Sequence, residues 1–105
     1  MKKTTYYKTC FNGKGQPPRF IESEGTQEFF TVPGTDSKIS LIFEKCSSYW
    51  NVTEETTGTL VLVNIKSRKE CINQLTPEFL TKIHKALNGH KCIKLLSEYK
   101  KSIIA

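Results

Sequence analysis

Residues 59–80 read TLVLVNIKSRKECINQLTPEFL, and the period of the apolar residues changes part-way along the stretch. Leu60, Val61, Leu62, Val63 and Ile65 form a nearly continuous apolar run rich in β-branched side chains, the composition of a strand. From Ser67 onward the spacing becomes helical. Ser67 stands three residues before Glu70, a capping-box pattern that predicts a short helical turn through Cys71, Ile72 and Leu75. Thr76-Pro77-Glu78 is a stronger helix start. Thr76 supplies an N-cap oxygen, Pro77 falls in the first turn where its missing N–H is harmless, and the Glu78 carboxylate is favoured by the helix dipole. Phe79, Leu80, Ile83, Ala86 and Leu87 then share one face, and Asn88-Gly89 provides the stop. The chain therefore divides near Lys66 into a strand part and a helical part.

Upstream of that point the pattern is of strands. Thr4–Thr9, Arg19–Glu22, Glu28–Val32, Lys38–Lys45 and Tyr49–Thr53 are rich in aromatic and β-branched residues, and Thr59–Lys66 completes the set. Asn12-Gly13, Pro33-Gly34-Thr35-Asp36 and Thr57-Gly58 supply turn chemistry between them. In Lys38–Lys45, Ile39, Leu41 and Phe43 alternate with polar residues except at Ile42, which predicts one core face and one partly wet face. Thr59–Lys66 lacks such alternation and is expected to be central and covered on both sides. Downstream, Cys92, Leu95, Leu96, Tyr99 and Ile103 repeat at helical spacing and predict a further helix from Lys91, although Lys91–Leu96 alone also fits a strand. The expected fold is α+β: a mostly antiparallel sheet of five or six strands followed by two C-terminal helices packed on one face. A length of 105 residues suits one domain, with a sheet portion at 1–66 and a helical portion at 67–105.

Composition narrows the class further. Leu, Ile, Val and Phe total 27 residues, above the roughly 20% below which charged chains stay disordered. No apolar run approaches the ~18 residues of a membrane span, and Met1-Lys2-Lys3 leads into Thr4-Thr5-Tyr6 instead of a signal-peptide core. Cys10, Cys46, Cys71 and Cys92 are widely spaced, which predicts free thiols in a cytoplasmic protein; two bridges in an exported one are the alternative, encouraged by the triplet Asn51-Val52-Thr53. Fourteen lysines against two arginines suggest an AT-rich coding sequence of bacterial or mobile-element origin.

The charge is lopsided. Of the net +6, residues 1–65 contribute nothing, with seven basic and seven acidic side chains, whereas residues 66–105 carry nine basic and three acidic ones. Lys82 and Lys85 lie opposite the apolar stripe of the first long helix, and Lys91, Lys94 and Lys101 lie opposite that of the second. If both stripes face the sheet, these lysines form one positive surface that attracts phosphates, anionic lipid or an acidic protein patch. A solubilising lysine face is the alternative. Lysine lacks the bidentate fork of arginine, so base-specific reading is not indicated.

The segment Phe11–Phe20, FNGKGQPPRF, has the glycines of a phosphate loop but leads into Pro17-Pro18 and an extended stretch instead of a helix. It is expected to be a surface connection. Lys14 and Arg19 lie among Tyr7, Phe11 and Phe20, a pattern that suits partner contact or stacking of single-stranded bases; anchoring of the rings to the core is the alternative. His84, His90 and Cys92 are close in sequence, with Cys71 as a further thiol, a set that would suit zinc, but His84 and His90 are six residues apart across a predicted helix end, neither a helical i, i+4 pair nor a knuckle. His90, just after Gly89, is expected to meet the carbonyls at the helix end. A nuclease using His84 or His90 with Lys85 or Lys91, or a thiol enzyme, is the third functional class; nothing marks a nucleophile, and no motif calls for a cofactor. The leading expectation is a non-catalytic protein-binding module whose contact residues are Lys82, Lys85, Lys91, Lys94, Lys101, Lys14 and Arg19, with a nucleic-acid-handling protein as one kind of partner. Direct, sequence-indifferent nucleic-acid binding through the same lysines is the second.

Overall fold

The computed structural model describes residues 3–11, 13 and 15–104. Five strands, β1 (Lys3–Cys10), β2 (Arg19–Thr31), β3 (Lys38–Cys46), β4 (Tyr49–Glu54) and β5 (Thr59–Ile65), precede three helices, α1 (Arg68–Gln74), α2 (Pro77–Leu87) and α3 (Lys91–Ile104). All strand pairs are antiparallel and the sheet order follows the chain, β1-β2-β3-β4-β5. The α+β class stands as expected, with three helices in place of two, because the Ser67 cap opens a real helix: its hydroxyl accepts the Glu70 N–H at 3.1 Å. Lys91–Leu96 is helical.

The segments Arg19–Glu22 and Glu28–Val32 are joined in a single 13-residue strand. β1 pairs with Arg19–Thr26 and β3 with Thr26–Thr31, so β2 changes partners at Thr26. Gly25 makes that change sterically feasible. A Cβ there would lie 2.5 Å from the Ile42 methyl and 2.8 Å from the Phe43 carbonyl oxygen. The resulting curl carries the β1–β2 hairpin round until the two outer strands touch: the Thr9 N–H donates to the Gly58 carbonyl at 2.8 Å, and the Thr9 hydroxyl to the Thr57 carbonyl at 2.5 Å. Gly58 has φ +70°, and a Cβ would come within 2.5 Å of the Tyr7 carbonyl oxygen, so only glycine closes this seam unstrained.

The main core lies between one face of the sheet and the first two helices. Ile39, Leu41 and Phe43 of β3 and Val52 of β4 pack with Cys71, Leu75, Leu80 and Ile83, and Val32 joins them. Thr76 caps α2 by accepting the Phe79 N–H at 3.2 Å, which sets the phase that turns Leu80 and Ile83 inward. Arg68 of α1 pairs with Glu28 and lies over the Phe43 ring, 5.1 Å from its centroid, sealing one side of the cluster. α3 buries Cys92 and Leu96, and Tyr99 rests on Tyr7 and Phe20 with ring centroids 5.5 and 5.0 Å away. The described chain is one compact α+β unit with a radius of gyration of 13.9 Å.

Two expectations about the strands are corrected. β3, not β5, is the central strand, and Ile39 through Phe43 are buried on both faces. The curl brings β1 over the face expected to be wet. β5 is an edge strand with Leu60 and Val63 about half exposed, because a meander leaves its last strand at the margin however apolar that strand is.

Candidate functional site

The exposed edge of the sheet and α2 enclose a groove of about 350 Å³. Leu60 and Val61 of β5 form one wall, and Phe79, Ile83, Ala86 and Leu87 of α2 form the other. The α2 residues recur at helical spacing, so the stripe that points Leu80 and Ile83 into the core also leaves its flank, with half-buried Phe79 and exposed Ala86, open to the groove. Lys82 and His90 contribute polar groups to the lining. Glu54 is the carboxylate nearest the groove, but it is fully occupied. It is 1% exposed and accepts hydrogen bonds from the N–H groups of Thr56 (3.0 Å) and Thr57 (2.9 Å) and from both threonine hydroxyls (2.7 and 2.8 Å). Its charge thus shapes the β4–β5 turn instead of facing a partner.

β5 offers an irregular edge. The β4–β5 register shifts between Trp50 and Val52 and again between Val52 and Thr53, and Asn64 has φ 55°. Asn51 holds that distortion: its side-chain oxygen accepts the Asn64 N–H at 3.0 Å while its amide nitrogen donates to the Cys46 sulfur at 3.5 Å. With Asn51 so engaged and Thr53 1% exposed, the triplet Asn51-Val52-Thr53 is part of the sheet, not a displayed loop.

Lys82, Lys85, Lys91, Lys94 and Lys101 are all exposed, but they border different depressions. Lys82 lines the β5–α2 groove. Lys85 lies with His84, Lys38 and Ser37 in a second, between α2 and the start of β3. Lys91, Lys94 and Lys101 share a third along α3 with Glu98 among them. His90 borders both the groove and the α3 depression, which makes it the link between Lys82 and the α3 lysines. The Lys91 ammonium stands 5.7 Å from the Phe11 ring centroid, so the β1–β2 connection touches α3. Arg19 is exposed at the start of β2, opposite Cys10. Lys14 lies outside the described residues, as does Asn12 of the Asn12-Gly13 turn.

The rings of the β1–β2 connection divide. Tyr7 and Phe20 anchor against Tyr99, while Phe11 stays 57% exposed. The Gly13 carbonyl accepts the Gln16 N–H at 3.3 Å and residues 16–18 run without helix into β2, so the described part of the segment is a surface connection as expected.

A polar cluster unforeseen from sequence ties the hairpin to β3. Glu44 accepts from the Tyr6 hydroxyl, from Ser23 at 3.1 Å and from Lys8, whose nitrogen is 3.0 Å from the nearer carboxylate oxygen. Burial opposes the Glu44 charge, but the hydrogen bonds from Tyr6 and Lys8 and the Lys8 charge outweigh it and hold the carboxyl below its ordinary value. Burial, reinforced by the bond to Glu44, raises the Tyr6 phenol well above the ordinary tyrosine value. These groups are 21 to 38 residues apart in the chain, and no local pattern announces them.

The histidines and thiols are otherwise employed. The His90 N–H reaches the Leu87 carbonyl at 3.1 Å, as expected of a residue at a helix end, but its ring faces the next helix: Nδ1 accepts the Cys92 N–H at 3.1 Å and caps α3. All four cysteines are free, Cys71 and Cys92 buried and Cys10 and Cys46 half-buried. Among the described residues no group of three His, Cys, Asp or Glu side chains is arranged to hold a metal ion, and no helix is long and apolar enough to cross a membrane.

No protein-family model matches the chain, and neither a curated protein nor a solved structure shows significant similarity to it.

Proposed function

We propose that this chain is a non-catalytic binding module that holds part of another protein in the β5–α2 groove. The observation that carries the reading is the half-exposed Leu60 facing the apolar flank of α2, which together make an open, concave apolar site, where the other large exposed apolar side chains do not line this groove. Lys82 beside this site, with Lys85, Lys91, Lys94 and Lys101 on the neighbouring surfaces, steers an acidic partner, while the apolar contacts determine how long it stays. The buried free thiols of Cys71 and Cys92 fit a reducing compartment, and we place the protein in the cytoplasm. A nucleic-acid-handling protein with an acidic face is one partner of this kind.

Direct nucleic-acid binding along Lys91, Lys94 and Lys101 is the competing reading, and one experiment separates the two. A photo-crosslinking amino acid is placed at position 60 in one variant and at position 94 in another, in cells of the native host, with and without nuclease treatment. Nuclease-resistant protein adducts from position 60 are expected. Adducts from position 94 alone that disappear on nuclease treatment would replace this reading with the nucleic-acid one.

A further inference from the structure

We infer that the occupant of the β5–α2 groove is an acidic amphipathic helix of the partner; this rests on the proposed groove function and specifies its ligand. Three observations lead to it. The edge of β5 is a poor template for an added strand: strand addition needs a continuous ladder, and here the register shifts twice opposite β4 and Asn64 takes a left-handed conformation. A helix satisfies its own backbone and needs no ladder. Next, Phe79, Ile83 and Ala86 present a wall at helical spacing that runs with Leu87 for about 12 Å along α2, matching the reach of side chains at i, i+3 or i+4 and i+7 on a docked helix. Finally, the charge is one-sided. Lys82 is the cation that lines the groove, and the one carboxylate there, Glu54, is buried and saturated by its own turn. A partner helix with leucine-type anchors flanked by Glu or Asp complements both the apolar walls and Lys82. A contact so short belongs with small, transient interfaces, for which a micromolar dissociation constant is expected.

The test is an NMR titration of the full chain with three synthetic probes: a stapled helix of about four turns with leucines at i, i+3, i+4 and i+7 and flanking glutamates, the same helix with lysines for glutamates, and an extended valine- and glutamate-rich peptide. The acidic helix should shift the amides of Leu60, Val61, Phe79, Ile83 and Ala86, at least about tenfold more tightly than the basic helix. Lys82→Glu, an exposed position, should erase that preference while circular dichroism shows the fold unchanged. Equal binding of the two helices, tighter binding of the extended peptide, shifts confined to Lys91–Lys101, or no binding of the acidic helix would each overturn the inference. A protein adduct from position 60 together with no binding of the acidic helix would leave the groove as the contact and remove only the identity of its ligand.

Discussion

Residues 39–43 of β3, Ile-Ser-Leu-Ile-Phe, and residues 60–63 of β5, Leu-Val-Leu-Val, are both short apolar runs. The fold treats them in opposite ways. No residue of the first is more than 9% exposed, whereas Leu60 and Val63 keep 52% and 49% of their surface in solvent. Helices cover one face of β3 and the curled β1–β2 hairpin closes over the other. β5 receives only the first kind of cover, and only in part. The comparison teaches that an apolar run specifies a strand but not its place in the sheet, and that surplus apolar surface at an edge points to a partner.

The largest effect expected from this contrast is at Phe43. Its ring fills the main core beneath Arg68, and Phe43→Ala should cost about 3–5 kcal/mol in a denaturant melt. A loss under about 1 kcal/mol would mean that the centre of the sheet repacks easily and that β3 is not privileged.

Gly25→Ala comes next, at about 1–3 kcal/mol, since the new methyl must displace Ile42 and press on the Phe43 carbonyl. The same change should weaken protection from hydrogen exchange in β1 more than in β5, because the bend at Gly25 is what brings β1 over β3. Equal loss in both strands would show that the hairpin and the β5 edge unfold as one unit.

The Tyr6–Glu44–Lys8 cluster predicts a pH dependence specific to the covered side of β3. Glu44 has a lowered folded pKa, so its contribution is full above the ordinary carboxylate value of about 4.3 and is lost as pH falls through the folded value. Tyr6 has a raised folded pKa, so its contribution is full below about 10 and declines as pH rises beyond that. Glu44→Gln should therefore be less stable than the parent at neutral pH and converge toward it in acid. Parallel stability curves for the two proteins between neutral pH and acid would remove the carboxylate from the hairpin's anchorage.

Leu60→Ala should have the smallest effect on folding, within about 0.5 kcal/mol, as suits an exposed edge position. The same variant should lose most of the binding of the acidic helix probe. A folding cost comparable to that of Phe43→Ala would show that Leu60 is packed in solution and close the groove as a site.

Much of the local structure was legible because its causes are local. The Ser67 and Thr76 caps, the stripe Leu80–Ile83–Leu87, the stop at Asn88-Gly89 and the turn residues between strands each act within a few residues, and each element forms where they imply. Part of the candidate site was legible for the same reason: Lys82, Lys85, Lys91, Lys94 and Lys101 are exposed as helical phase requires. Their division among three depressions was not, since it depends on how α2 and α3 sit against separate parts of the sheet. The unbroken apolar run of Thr59–Lys66 points to an interior place for Leu60 and Val61, although a strand that is last before a run of helices is a natural margin of a meander.

By itself, then, the sequence determined that a strand part precedes a helical part, the start and stop of the long helix α2 and the concentration of positive charge after Lys66, all set by the periodicity, capping and composition of neighbouring residues. Only the tertiary structure decided which apolar run became the centre, that Tyr6 and Glu44 would meet across 38 residues, and that β5 and α2 would leave a groove between them. The physical reason is that these outcomes depend on the curl of the sheet, which Gly25 permits and the Thr9–Gly58 contact closes, and such long-range closure has no periodic signature in the chain.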